Sequence, residues 1–142
     1  MLKKPGGLGA QGGQMRVTRL YTGTDGRSHF EELDIPLAPA AYGRESSLVP
    51  AQGMIFRENP EGVWADFHNA PRRQFVITIS GLAELECGDG SRRRFGRGDI
   101  LLVDDTTGQG HITREIQGPR QIIFIPLPQE LDISAWRVTA SG

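Results

Sequence analysis

The sequence has little of several features that would identify a common class of protein. Cys87 is the only cysteine, which excludes an internal disulfide and favours a reducing, cytoplasmic compartment. Sixteen basic residues balance seventeen acidic ones, so the charge gives no sign of binding to nucleic acid or to an anionic membrane. No apolar run is long enough to span a bilayer, and no long stretch has convincing helical periodicity. We therefore expect a largely helix-free protein without nucleic-acid or membrane partners.

The first residues, MLKKPGGLGAQGGQ, contain glycine, alanine and glutamine where a signal peptide would have an apolar core. We predict a flexible leader over 1–14, because this segment has too little apolar surface to fold. Residues 15–142 suffice for one domain with a real core and are too few for two ordinary domains. The sequence leaves open whether translation starts at Met1 or at Met15.

Short β-like runs separated by turn signals make up most of the remaining chain. The runs QFVITIS at 74–80, ILLV at 100–103 and QIIFIPL at 121–127 are apolar on both faces. A strand with two apolar faces must be buried on both sides. We expect the N-terminal strands or a second subunit to cover the outer faces, and the second possibility predicts a homodimer. The pattern as a whole is typical of an all-β sandwich or barrel.

Two glycine-flanked segments carry the most specific pattern: GVWADFHNAPRRQFVITISG at 62–81 and GDILLVDDTTGQGH at 98–111. Together they resemble the two motifs of the small single-domain cupins, a resemblance that covers about residues 54–127. It implies an all-β, double-stranded β-helix (jelly-roll) barrel, with the N-terminal strands packing outside the barrel. It also implies a homodimer. The cupin fold serves many chemistries, so it does not by itself imply a reaction.

The first motif has the spacing of the cupin pattern but lacks two of its metal-binding side chains. Gly62, His68 and Gly81 fall where the cupin pattern has its first glycine, first histidine and last glycine. Ala70 stands at the second histidine of the pattern, and Gln74 stands at its glutamate. The resemblance therefore implies a degenerate metal site.

The second motif matches at Gly98 and recovers its histidine, His111, two residues later than the pattern predicts. Asp104 replaces the proline of the pattern, and Glu115 stands where its asparagine would be. Side chains on a strand alternate between faces, so a shift of two positions keeps His111 on the same face.

One hypothesis is a metal-dependent enzyme of the oxygenase or isomerase type. The resemblance implies Fe, Mn, Ni or Zn as the divalent metal, held by three histidines and one glutamate. Here His68, His111 and the neutral amide of Gln74 remain, a set that should bind such metals weakly. Asp66 lies two residues before His68, so both share a face of a strand, and Asp66 could complete a two-histidine, one-carboxylate set.

A second hypothesis needs no metal: a small organic ligand binds in the barrel cavity, where His68 or His111 acts as general acid or base. Asp66 would then orient an imidazole. An apolar cavity with a few convergent polar groups is the usual make-up of a small-molecule site. The residues predicted to contact the ligand are Trp64, Gln74, Thr78, Gln109, Thr113 and Arg73.

A third hypothesis is a non-catalytic ligand sensor or a vestigial dimeric cupin, which the departures at Ala70 and Gln74 favour over a standard metalloenzyme. The sequence leaves enzymatic activity open. Binding of a small organic molecule is the common element of these hypotheses and our first interpretation.

Three other groups of polar residues have simple structural interpretations. The acidic and threonine side chains of the 104–108 loop would cap backbone donors in a turn. Arg72 and Arg73 at the predicted rim could clamp a carboxylate or phosphate, although a surface ion pair explains them as well. We assign no chemistry to His29.

Overall fold

Strands account for all regular structure except one short 3₁₀ turn in the computed structural model, which describes residues 14–138. All but the last residue of the predicted leader 1–14 lie outside the described residues. The strands are β1 Gln14–Thr22, β2 Ser28–Pro36, β3 Ala38–Ala40, β4 Gly43–Glu45, β5 Ile55–Asn59, β6 Trp64–His68, β7 Gln74–Cys87, β8 Arg92–Phe95, β9 Ile100–Asp104 and β10 His111–Pro126, and the 3₁₀ turn is Ser134–Trp136. Within 14–138, no helix is long and apolar enough to cross a membrane.

Eight strands form one mixed sheet in the order β2-β1-β9-β7-β10-β5, with β6 also paired to β10 and β8 to β7. The strands β3 and β4 form a separate hairpin. Every pairing in the large sheet is antiparallel except β1 with β9. This architecture confirms the predicted all-β fold of the barrel or jelly-roll type.

The two longest strands, β7 and β10, each pass from one layer of the barrel to the other. The first part of β7 pairs with β9 and its second part with β8, while β10 pairs first with β6 and then with β5. Their mutual register is interrupted at the crossing, around Gln117 and Gln121. Gly81 lies at this bend with a φ of 84°, and a Cβ there would come within 2.7 Å of the Cα of Arg120. Only glycine combines this backbone conformation with so close an approach.

Alternation along the strands produces two apolar clusters, one inside the barrel and one outside. The inner cluster includes Leu20, Val76, Leu85, Phe95, Leu101, Val103 and Ile122. The outer cluster includes Val17, Leu33, Phe75, Leu102, Leu127 and Ile133. The two faces of β7 and β9 therefore contribute to different clusters, as their doubly apolar sequences require.

The cover over the outer face differs in part from the one that we expected. Val17 of β1 and Leu33 of β2 contribute, but so does the C-terminal segment after β10, through Leu131, Ile133 and Trp136. This segment packs beside β7, and the rings of Phe75 and Trp136 stack with centroids 6.1 Å apart. A second subunit is therefore not needed to cover this part of the barrel.

Candidate functional site

A cavity of about 450 Å³ lies between the two layers of the barrel. Its middle is apolar and is formed by Val76, Leu85, Phe95, Leu101, Val103 and Phe124. Polar groups gather at two places, which we call the histidine end (His68 and His111) and the ion-pair end (Asn59, Glu115 and Arg120). His111 and Glu115 are four positions apart on β10, roughly 13 Å at the rise of an extended strand. The cavity thus has an apolar body between two polar ends.

The histidine end forms where β6 and β10 pair. His68, the last residue of β6, lies opposite His111, the first residue of β10. The centroids of the two imidazole rings are 4.5 Å apart and the ring planes are inclined by 52°. His111 is buried, whereas His68 is exposed at the rim. The two rings are therefore in contact on one wall of the cavity.

Each imidazole uses one nitrogen to hold its orientation. The Nδ1 of His111 lies 2.5 Å from Oδ2 of Asp105, a carboxylate with no solvent exposure. The Nδ1 of His68 donates to the backbone carbonyl of Asp66 at 2.8 Å. Because the oxygens accept, neutral rings carry their protons on Nδ1, which leaves each Nε2 as an acceptor. Within residues 14–138, neither Nε2 has a hydrogen-bond partner.

The loop that carries Asp105 is fixed to the end of β6. Asn69 donates from Nδ2 to the carbonyl oxygens of Thr107 and Gly108, at 2.9 and 3.0 Å. Gly110 has a φ of 82°, and a Cβ there would collide with the carbonyl group of His68. The glycine therefore allows the loop to approach β6 closely enough for the two histidines to meet.

The side chains at the histidine end do not fit a divalent metal of the first transition row. Ala70 offers no donor, and Oε1 of Gln74 already accepts a hydrogen bond from Nη1 of Arg72 at 3.0 Å. The carboxylate of Asp66 accepts from the backbone N–H of Phe67. In the part of the chain that the structure describes, no three His, Cys, Asp or Glu side chains are grouped to hold a metal. Two imidazoles beside a guanidinium-bound amide make a poor set for a dication.

The ion-pair end is built around a buried, bidentate contact. Arg120 donates from Nε and Nη2 to the two carboxylate oxygens of Glu115, at 2.7 and 2.8 Å. Both side chains are about one-twentieth exposed or less. Asn59 donates to Oε2 of Glu115 at 3.0 Å, and Arg57 donates from Nε to Oδ1 of Asn59 at 2.8 Å. Charge-assisted bonds of this kind are the strong ones in proteins and hold their members rigidly.

The structure brings most of the predicted ligand contacts to the cavity. Its walls include His68, His111, Trp64, Gln74, Thr78 and Thr113.

Three of the predicted site residues lie elsewhere. Asp66 offers His68 its backbone carbonyl and not its carboxylate. Arg73 is buried outside the cavity, with Nε 3.1 Å from Oδ1 of Asp104 and Nη1 donating to the carbonyl of Leu131. Gln109 is exposed in the loop before β10. None of these three side chains faces the cavity, so we assign none of them to ligand contact.

Four site residues escape the sequence pattern: Arg57, Asn59, Asp105 and Arg120. Asp105 looks like a turn cap, and only the fold shows that its carboxylate meets His111. Arg120 lies shortly before the apolar run 122–125 of β10, where a charged residue on the inward face is an available signal of a buried partner.

Cys87 fits the role of an apolar filler. It lies opposite His111 in the pairing of β7 with β10. Burial raises the pKa of its thiol to about 11, so the reactive thiolate is scarce near neutral pH. Its nearness to the histidine end does not make it a nucleophile.

No family model matches the sequence, and no curated protein matches it. A protein of unknown function from Streptococcus pyogenes has a similar structure at 17% identity and a TM-score of 0.39, with 57% of this chain and 80% of that chain covered. A protein from Neisseria meningitidis matches at 10% identity and a TM-score of 0.40, over 77% of this chain and 81% of that one. A Ralstonia eutropha JMP134 protein, provisionally named a mannose-6-phosphate isomerase, matches at 20% identity and a TM-score of 0.28, over 89% of this chain and all of that one. These TM-scores are too low to support a conclusion about family or function.

Proposed function

We propose that this protein is a cupin-type protein that binds a small organic molecule in its barrel cavity without a resident transition metal. The observation that supports this best is the cavity itself, whose apolar middle lies between two sets of hydrogen-bonding groups. Concave, largely apolar pockets with a few placed polar groups are the usual form of small-molecule sites. The spacing of His68 and Gly81 supports the cupin assignment independently of the cavity.

The metal-free proposal and the metal-dependent alternative predict different metal contents, and the metal-free proposal predicts a low one. Protein purified without a metal-affinity step should contain far less than one equivalent of Fe, Mn, Ni or Zn by elemental analysis. A near-stoichiometric metal that is lost in the His68→Ala/His111→Ala double variant would contradict the metal-free proposal.

Binding can be followed through Trp64, which lines the cavity. The other tryptophan, Trp136, packs outside the barrel, so Trp136→Phe leaves one reporter at the site. A chemically mixed panel of small acids, sugars, amino acids and bases is titrated into this variant. We expect at least one class to change the Trp64 emission and to raise the melting temperature.

A matched pair of substitutions separates cavity binding from surface binding. Thr113→Phe places a ring inside the cavity and should abolish the response to every binding compound. Ile116→Phe adds a ring outside the cavity on the same strand and should leave the response intact. If no compound binds, or if both variants behave alike, the binding proposal fails.

The contact between Asp105 and His111 favours a second candidate function, proton transfer by His111. A buried carboxylate on Nδ1 fixes the tautomer that leaves Nε2 free to accept a proton, as in other acid–base histidines. Compounds found to bind are incubated with the protein in D₂O, and deuterium uptake is followed by mass spectrometry. We expect uptake at a carbon beside a carbonyl group, and its loss in His111→Gln. Absence of uptake in every bound compound would leave binding as the function.

We also propose a homodimer, with β5 at the interface. β5 lies at the edge of the sheet, and Phe56 on this strand is 76% exposed. Phe56 lies beside Ile123 and then Ile77 on the outer face, away from the cover of the C-terminal segment. Exposed apolar side chains on an edge strand are typical of an interface.

Sedimentation at micromolar concentration tests the dimer. We expect Phe56→Glu to give monomers, and Tyr42→Glu on the separate hairpin to have no effect. A monomeric wild-type protein would contradict the proposal.

A further inference from the structure

We infer that the ligand is a monoanionic organic acid, with its carboxylate at the ion-pair end and a hydroxyl group at the histidine end. This inference rests on the proposed function, because it names the class of molecule that the cavity takes. Four observations carry it: the arginine without an ion-pair partner at one end, the free donors there, the free acceptors at the other end, and the apolar middle.

Two arginines and two carboxylates line the cavity at the ion-pair end, but within residues 14–138 only Arg120 and Glu115 form an ion pair there. Glu115 and Arg120 neutralise each other through two hydrogen bonds. Arg57 also lines the cavity, and within residues 14–138 it has no carboxylate within ion-pair distance. Glu58 also lines the cavity, but its carboxylate accepts a hydrogen bond from Gln121 at 3.0 Å. Arg57 therefore keeps a guanidinium that no carboxylate of the described chain contacts, and this guanidinium favours an anion.

Donors for that anion remain free on both arginines. Arg120 uses Nε and Nη2 on Glu115, so its Nη1 has no protein partner within the described chain. Arg57 uses only Nε, on Asn59. A guanidinium with a free edge binds a carboxylate with directional, charge-assisted hydrogen bonds. The buried contact between Glu115 and Arg120 holds one of these donors in place before the ligand arrives.

The histidine end has the opposite character. Both Nδ1 atoms are already donors, to Asp105 and to the carbonyl of Asp66, so both Nε2 atoms are acceptors on neutral rings. An acceptor pair selects a ligand that brings a donor, and a hydroxyl group is the simplest neutral one. A second carboxylate here would find no hydrogen to accept and would lie near the carboxylate of Asp105.

The distance between the ends sets the size of the ligand. The roughly 13 Å between the backbone positions of His111 and Glu115 must hold both inward side chains and the ligand. A cavity of about 450 Å³ is in the lower part of the range for small-molecule sites. A single-ring hydroxyaryl acid with a short chain fits these limits, with its ring against the apolar middle.

The probes are hydroxyphenyl acids with one, two or three carbons between ring and carboxylate, each paired with its methyl ester and with its analogue lacking the hydroxyl. Affinities are measured by isothermal titration calorimetry. We expect at least one acid to bind about tenfold or more tightly than its ester, the loss of roughly one charge-assisted hydrogen bond. Removal of the hydroxyl should weaken binding several-fold, and added salt should weaken the acid more than the ester.

Two arginine variants locate the carboxylate. Arg57→Gln should weaken the acid about tenfold and change the ester less than twofold, so that the preference for the acid disappears. Arg97→Gln, an exposed arginine in the turn before β9, should change neither affinity. Circular dichroism of Arg57→Gln checks that the variant is folded.

The outcomes separate this inference from the function on which it rests. If compounds of the mixed panel bind but acids bind no better than esters, the anionic ligand is excluded and the binding function remains. If phenyl phosphates bind better than the carboxylic acids, the monoanionic class is wrong. If acid preference survives in Arg57→Gln, the carboxylate lies elsewhere. If no compound of either set binds, the proposed function itself fails.

Discussion

The two ends of the cavity use buried charge in different ways. At the ion-pair end, Glu115 and Arg120 satisfy each other with two hydrogen bonds, and Asn59 adds a third. At the histidine end, Asp105 is fully buried but holds only one imidazole, and its Oδ1 has no partner within the described chain. In the first arrangement both carboxylate oxygens have partners, and the pair supports the barrel. The second leaves both imidazole Nε2 atoms, and one carboxylate oxygen, without a protein partner.

This difference predicts unequal effects when a charge is removed. Glu115→Ala leaves the Arg120 guanidinium buried without a partner, and we expect the free energy of unfolding to fall by about 3–5 kcal/mol. The double variant Glu115→Leu/Arg120→Met removes both charges and should recover most of that loss. Urea unfolding followed by two spectroscopic probes gives the values. A loss below about 1 kcal/mol for Glu115→Ala would mean that water reaches the pair.

The bend beside Arg120 gives the second largest effect. Gly81→Ala adds a Cβ that would meet the backbone of Arg120 and of Gln117 at 2.7 and 2.8 Å. Gly98 has nearly the same positive φ but no atom within 4 Å of its Cβ position. We expect Gly98→Ala to cost about 1 kcal/mol from backbone strain alone, and Gly81→Ala to cost about 2 kcal/mol or more beyond that. Equal losses in the two variants would show that the strands do not approach closely here.

At the histidine end the expected effect is smaller. Asp105→Leu leaves the Nδ1–H of His111 without an acceptor, which should cost about 1–3 kcal/mol. Nitrogen-15 spectra at high pH should show the His111 proton on Nδ1 in the wild type and a mixture of tautomers in the variant. The exposed ring of His68, held by a backbone carbonyl, should keep its tautomer in both proteins. An unchanged His111 spectrum would show that Asp105 does not orient the ring.

The sequence predicts the barrel and the contact between its two histidines better than it predicts the groups that hydrogen-bond those histidines. Alternating and doubly apolar runs arise because whole strands are buried, so many residues of the sequence indicate the same fold. The role of Asp105 depends on one loop conformation, set by Gly110 and Asn69, and a short acidic loop has a simpler local interpretation. The prediction for Asp66 fails for the same reason. Its spacing from His68 suits a side-chain contact, but His68 contacts the backbone carbonyl of Asp66 and not its carboxylate.

The ion-pair end shows a second limit of sequence reasoning. Glu115 and Arg120 are five residues apart with the bend of β10 between them, so strand alternation alone would place them on opposite faces. The irregular register at the bend changes this alternation, so the side chains of Glu115 and Arg120 lie on the same face. A pair that depends on an irregularity leaves no periodic signal in the sequence, and only the burial of both charged side chains in the folded structure reveals it.

The smallest effect lies outside both ends, at a histidine to which the sequence pattern assigns no chemistry. His29 joins two turns, with Nε2 3.0 Å from Asp25 and Nδ1 2.9 Å from Asp89. The hydrogen bond that His29 donates to Asp25 raises the pKa of His29 above its usual 6.5. The folded protein therefore holds this proton more tightly than the unfolded chain. The resulting stability is fully present below about pH 6.5 and is lost as the pH rises through the raised pKa.

We expect His29→Gln to lower the melting temperature by a few degrees or less near pH 6, and by a smaller amount at pH 9. Asp25 has a lowered pKa from the same bond, so the stabilisation should fade again only in strong acid, as the pH falls through that lowered value. Melting curves of both proteins across this range give the difference directly. Because Asp25 and Asp89 lie in turns away from the cavity walls, binding of an acid at a fixed pH should be unchanged in this variant. A constant difference in melting temperature at every pH would mean that His29 acts by packing and not by charge.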